Sequence, residues 1–159
     1  MHRFAVITAA ALLIPAAASA QTIEGFVTAG THRDVNREQF PGFGGGMLFT
    51  TTWIGVGAQG DAFLSPPYMA GRFTPFVEAH PFVVAGIRPF VQAGKGFGEF
   101  HGRMYGMGMD FRPRNGRVGV RASYQMYLAE MWPGREKRVQ PSVTFGIIWT
   151  AARGEPWVN

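Results

Sequence analysis

Cysteine is absent from the 159 residues, which removes disulfide scaffolds, thiolate zinc sites and iron–sulfur clusters together. Charge is scarce at 16%, and Lys95 and Lys137 are the only lysines. Leucine is too rare for a helical bundle. Beyond the first twenty residues no apolar run reaches the ~18–20 residues that a spanning helix needs. What is plentiful is glycine (22), phenylalanine (14) and proline (11), a mixture that favours β structure. Few charges and 14% aromatics are the reverse of a disordered composition, and the length suits one domain. The net charge of +5, carried mainly by arginine, would by itself raise nucleic acid as a partner.

The N-terminus argues against that partner. Met1-His2-Arg3 is a short positive start, Phe4 to Ala17 is apolar apart from Thr8, and Ala18-Ser19-Ala20 supplies small residues for a signal peptidase. Residues 1–20 are therefore expected to be a secretory signal cleaved after Ala20, and residues 21–159 an exported domain. Export excludes DNA and RNA as partners. No cysteine follows the cleavage point, so a lipoprotein anchor is excluded too.

Along the exported part the recurring signal is alternation of period two in runs of about ten residues. From Arg117 to Tyr127, Val118, Val120, Ala122, Tyr124 and Met126 share one face, and Gly119, Arg121, Ser123 and Gln125 the other. The runs Ser142–Thr150, Arg103–Arg112 and Trp53–Ala62 alternate similarly, and weaker ones cover Ile23–Thr31, Phe43–Thr51, Arg72–Ala79 and Val83–Gly94. That predicts eight strands. Pro75 and Pro89 fit poorly, since proline removes a ladder donor. Long connections (His32–Gly42, Leu64–Gly71, Lys95–Gly102, Leu128–Gln140) are expected to alternate with tight ones at Thr51-Thr52, His80-Pro81 and Pro113–Gly116. Asn115-Gly116 is a hairpin signal. Such segregation is how membrane barrels are built.

The faces point the same way. The polar face carries Arg72, Glu78, Arg88, Asp110, Arg112 and Arg121 among many glycines, with Glu24 and Gln92. An eight-stranded interior has room only for side chains, so these residues are candidate lumen ion pairs that also block a pore. The opposite face is apolar. Phe43, Phe73 and Tyr105 fall near one end of it and Phe49, Phe111 and Trp149 near the other, as two aromatic girdles would. A soluble lipocalin-type barrel binding an apolar ligand is the competing architecture.

Three segments carry a resemblance. Gly106-Met107-Gly108-Met109-Asp110-Phe111-Arg112, Val118-Gly119-Val120-Arg121-Ala122-Ser123-Tyr124-Gln125 and Thr144-Phe145-Gly146-Ile147-Ile148-Trp149 are similar to strands of the small outer-membrane barrels of the OmpA/OmpX type. The resemblance implies an eight-stranded antiparallel up-and-down transmembrane β-barrel with short periplasmic turns and longer extracellular loops. It also implies an outer-membrane location and a final strand (Thr144, Gly146, Trp149) read by the barrel-assembly machinery. One departure is that the chain continues past Trp149 to Asn159.

Little chemistry is written in the chain. His32 and His101, with Glu99, lack the helical or tight-turn spacing that would fix three or four ligands around a metal, and His80 before Pro81 reads as structural. Ser65, with Asp61 and His101, would be the triad of a lipid A-modifying hydrolase, but no serine-centred motif accompanies it. Gly42–Gly46 lacks the Lys-Ser/Thr of a phosphate loop. No cofactor is expected. Trp132, Arg135, Lys137 and Arg138 form a basic loop suited to lipopolysaccharide phosphates. The expected role is a non-catalytic membrane scaffold presenting loops, with the hydrolase as the alternative.

Overall fold

The computed structural model describes residues 22–33, 38–51, 53–65, 68–98, 102–113, 116–129 and 138–153. They form eight strands: β1 (Thr22–Arg33), β2 (Gln39–Thr50), β3 (Ile54–Ser65), β4 (Tyr68–Ala79), β5 (Ile87–Gly98), β6 (Gly102–Phe111), β7 (Val118–Ala129) and β8 (Arg138–Arg153). Each pairs antiparallel with its sequence neighbour, and β1 pairs with β8, so the sheet closes and leaves no edge.

Closure is staggered. Register partners run from Thr22 through Thr50, Gly55, Glu78, Gln92, Gly106, Gln125 and Ser142 back to β1 at His32, about ten residues up the strand. With ~3.3 Å per residue and ~4.8 Å between strands, that stagger tilts the strands by about 40°. Strands of 12 residues at that tilt are long enough to cross a hydrocarbon layer.

Proline is accommodated where one ladder is missing. Pro41 precedes the first β2–β3 pair, Pro75 falls in the gap between Phe73↔Phe97 and Phe76↔Gly94, Pro89 lies below the last β4–β5 pair, and Pro141 lies above the last β1–β8 pair. The absent donor is therefore never required.

Link lengths differ from the sequence expectation. Strand pairing continues into the segments expected as long loops, leaving only residues 66–67 between β3 and β4 and residues 99–101 between β5 and β6. Conversely, 80–86 separates β4 from β5. The β-branched Val83-Val84 suggests a strand, yet the strand begins only at Ile87. Val84 and Ile87 exchange two backbone hydrogen bonds of 3.0 and 2.8 Å around Ala85 (φ 52°) and Gly86 (φ 82°), a tight turn with both central residues left-handed. Asn115 lies outside the described residues; Gly116 N–H donates to Pro113 O at 2.8 Å.

Polarity is inverted. Glu24, Arg72, Glu78, Arg88, Asp110 and Arg121 are buried inside the barrel, while Val27, Met47, Val77, Val91, Met107, Val120, Phe145 and Ile147 stand exposed on its wall. Corrected for the stagger, the outer aromatics form two bands about 15–20 Å apart. Phe43, Phe73, Phe97, Tyr105 and Tyr124 lie toward the upper end, where β1 meets β2. Phe49, Trp53, Phe111 and Trp149 lie toward the lower end, where the chain enters at Thr22. Phe145 is an aromatic between them. Val120, placed mid-strand by its sequence position, pairs with Phe111 and so sits near the lower band.

Candidate functional site

The lumen holds two polar groups separated by apolar side chains. In the lower group, Arg88 bridges Glu24 (Nη1–Oε1 3.2 Å, Nη2–Oε2 2.7 Å) and Asp110 (Nε–Oδ2 3.1 Å). Arg121 bridges Asp110 (Nη1–Oδ1 3.2 Å) and Glu78. Arg112, from the link after β6, reaches Glu24 Oε1 at 2.7 Å and donates to Thr150 Oγ1 at 2.7 Å. Three guanidinium groups thus meet three fully buried carboxylates, and the charges cancel. Such burial carries a heavy desolvation cost that only this density of charge-assisted hydrogen bonds offsets. A register shift between Ile23 and Glu24 marks a bulge in the β1–β8 pairing beside this group.

His80 sits against the network, its Nε2 3.5 Å from Glu78 Oε1. Burial, reinforced by the Arg88 charge, pushes its imidazole down to about 3. It is neutral at ordinary pH, so the contact with Glu78 is not an ion pair.

The upper group is built differently. Arg72 pairs with Asp61 (Nη2–Oδ2 3.0 Å) and lies over the rings of Tyr127 (3.2 Å to the centroid) and Phe63 (4.7 Å). Gln59 and Gln125 exchange amide hydrogen bonds of 3.2 Å, and Tyr127 O–H donates to Gln125 at 3.2 Å. His32 stacks on Phe63, with 4.4 Å between centroids.

Between these groups Phe26, Leu48, Phe76, Met104, Tyr127 and Ile148 form an apolar cluster, with Phe90 also buried. Alternation alone does not reveal these inward aromatics. The signal lies one strand away, in glycine: a Cβ at Gly46 would meet the Phe26 ring at 2.7 Å, and one at Gly57 the Phe76 ring at 2.8 Å. The inward glycines make room for rings as well as for polar side chains: Gly119 for Arg112, Gly44 for Asp61 and Gly106 for Gln92. Arg121 caps the cluster, 3.9 Å from the Phe90 centroid and 5.0 Å from that of Phe26.

The remaining sequence candidates are scattered. Ser65 ends β3, paired with Tyr68, and Asp61 accepts from Arg72 and Gln59. His101 and Glu99 lie outside the described residues, as do Trp132, Arg135, Lys137 and residues 1–20; Arg138 opens β8. Among the described residues no three metal-ligating side chains gather. On β8, Thr144 shares a 2.7 Å hydrogen bond with Ser123, Gly146 faces inward against β1, and Trp149 faces outward over Gly25.

No family model matches the chain, and no curated protein matches it. Solved structures do. A barrel from work titled "De novo design of transmembrane beta-barrels" superposes with a TM-score of 0.63 at 13% identity, covering 84% of this chain and 98% of the design. The N-terminal β-barrel domain of Pseudomonas aeruginosa OprF gives 0.58 at 14% identity, covering 83% and 99%. Neisserial surface protein A gives 0.56 at 6% identity, covering 80% and 94%. The fold of this chain is that of the small eight-stranded outer-membrane β-barrels.

Proposed function

We propose that the chain is an outer-membrane β-barrel acting as a non-catalytic scaffold, which holds its upper loops at the cell surface for structural or binding roles. One observation carries this reading: charges are buried in the lumen while the aliphatic wall, bounded by two aromatic bands, is exposed. Water is the wrong solvent for that wall. The filled lumen supports an anchor rather than a channel. The competing hydrolase loses support because its acid, Asp61, is engaged by Arg72. Residues 1–20 serve as the export signal in this scheme. Trp132, Arg135, Lys137 and Arg138 are the loop contacts offered to lipopolysaccharide, and Thr144, Gly146 and Trp149 the assembly signal.

Expression of the full chain in a Gram-negative host tests the reading. The expected result is a product beginning at Gln21, recovered in the outer-membrane fraction, whose electrophoretic mobility changes on boiling. Recovery in the soluble periplasmic extract would overturn it. Lipid A of unchanged acylation on overexpression is expected; an altered acyl pattern, abolished by Ser65→Ala, would replace scaffold with enzyme.

A further inference from the structure

Two cations face outward near the upper end, and they face each other. Lys95 on β5 and Arg103 on β6 are register partners, both exposed on the outer wall just above the Ala93↔Tyr105 pair. Like charges directly opposite across a strand pair repel and destabilise it. No described carboxylate shares their face: Glu24, Asp61, Glu78 and Asp110 lie in the lumen, and Glu38 precedes β2, three strands away. The flanking residues are those of a membrane interface. Lys95 Nζ lies 5.7 Å from the Phe97 ring centroid, Phe97 pairs with Phe73, and Tyr105 lies below. The pair is therefore held at the level where acyl chains give way to headgroups, with Lys95 extended along the neighbouring ring.

We propose that Lys95 and Arg103 together seat an anionic phosphate of the phosphorylated glycolipid of the outer leaflet, the lipid A moiety. This rests on the outer-membrane reading above and gives its lipid a position. A phosphate between the two side chains accepts a forked pair of hydrogen bonds from the guanidinium and another from the ammonium, and turns their repulsion into a bridge. The site is on the outer wall, carried by β5 and β6. Its ligand is a lipid in the plane of the membrane rather than a soluble molecule.

The test uses the full chain expressed in a Gram-negative host, taken from the outer membrane and reconstituted into phosphatidylcholine vesicles. These are left plain or doped with lipid A, dephosphorylated lipid A or phosphatidylglycerol. Wild type is compared with K95Q/R103Q by boiling-shift midpoint and by lipid A retained after detergent extraction. Lipid A should raise the wild-type midpoint and leave the variant's unchanged, and the variant should retain about tenfold less lipid A, as expected for the loss of charge-assisted contacts. In plain vesicles the order should reverse, with the variant at least as stable because the repulsion is gone. Equal response of both proteins to lipid A overturns the site. An equal gain from dephosphorylated lipid A overturns the phosphate, and an equal gain from phosphatidylglycerol overturns lipid A as its source. A chain that never enters the outer membrane overturns the membrane reading itself, a failure distinct from the other three.

Discussion

At the lower end of the lumen, Glu24, Glu78 and Asp110 are sealed from solvent and share Arg88, Arg112 and Arg121 between them. At the upper end a single carboxylate among the described lumen residues, Asp61, retains slight exposure and meets one arginine stacked on aromatic rings. Where water is excluded, each carboxylate needs a charged partner, and the partners are shared. Toward the upper end Asp61 also accepts from Gln59 and keeps a little exposure, and one arginine held by ring contacts suffices. The lower network is therefore expected to be far less tolerant of substitution than the upper pair.

Arg121→Leu should have the largest effect. It removes the one arginine that Glu78 contacts directly, leaving neutral His80 beside it and the Arg88 charge farther off, and breaking a buried pair in this way costs about 3–5 kcal/mol. Urea unfolding in lipid vesicles measures it. Glu78→Gln in the same chain should restore roughly half of the loss. Arg88→Leu should cost less than Arg121→Leu, since Glu24 keeps Arg112 and Asp110 keeps Arg121. Equal losses would mean that the network does not share its charges.

The pH response distinguishes the two ends next. His80 takes up its proton near pH 3 in the folded chain and near 6.5 when unfolded. The unfolded state binds more protons between those values, so stability falls as pH drops through 6.5 and the loss is complete below about 3. Between pH 7 and 4.5 the barrel should lose about 2 kcal/mol through this group. His80→Gln should flatten that part of the profile, while the contributions of Glu78, Asp110 and the nearby arginines remain in both proteins.

At the upper end Arg72→Met keeps an unbranched side chain against Tyr127 and Phe63, and the hydrogen bond from Gln59 to the slightly exposed Asp61 limits the loss to about 1–2 kcal/mol. A loss matching that of Arg121→Leu would erase the contrast between the two ends. The smallest effect belongs to the lower turn. Ala85 holds a left-handed φ, and Ala85→Gly should gain about 0.5–1 kcal/mol in the same unfolding measurement.

These differences show where the sequence is legible. Strand number and facing follow from period-two alternation, because every strand has one wet-type and one oil-type face; Val118 to Met126 displays both plainly. Strand ends are less legible. Tyr68–Gly71 and Lys95–Gly98 look like loop in composition, yet both pair in the sheet because closure gives their backbones a ladder. Arg88, Asp110 and Arg121 are recognisable as lumen residues from their place on the polar face. Which acid each arginine meets is not recognisable, since Arg88 and Glu24 lie on strands that are not neighbours and approach only across the interior. The inward Phe26, Phe76 and Phe90 are hidden for the same reason: each ring lies over a neighbouring strand's glycine.

The seam between β1 and β8 has a consequence in time. Seven of the eight strand pairings join sequence neighbours and form by local hairpin closure, whereas Thr22↔Arg153 and His32↔Ser142 join the two ends of the chain. That one junction carries most of the contact order of the molecule, and its loop-closure entropy falls due only when the last strand has emerged. Until then β1 waits with an unpaired edge. The kinetics of assembly should therefore be governed by the arrival of β8, and changes confined to the seam should slow closure far more than equal changes within any hairpin.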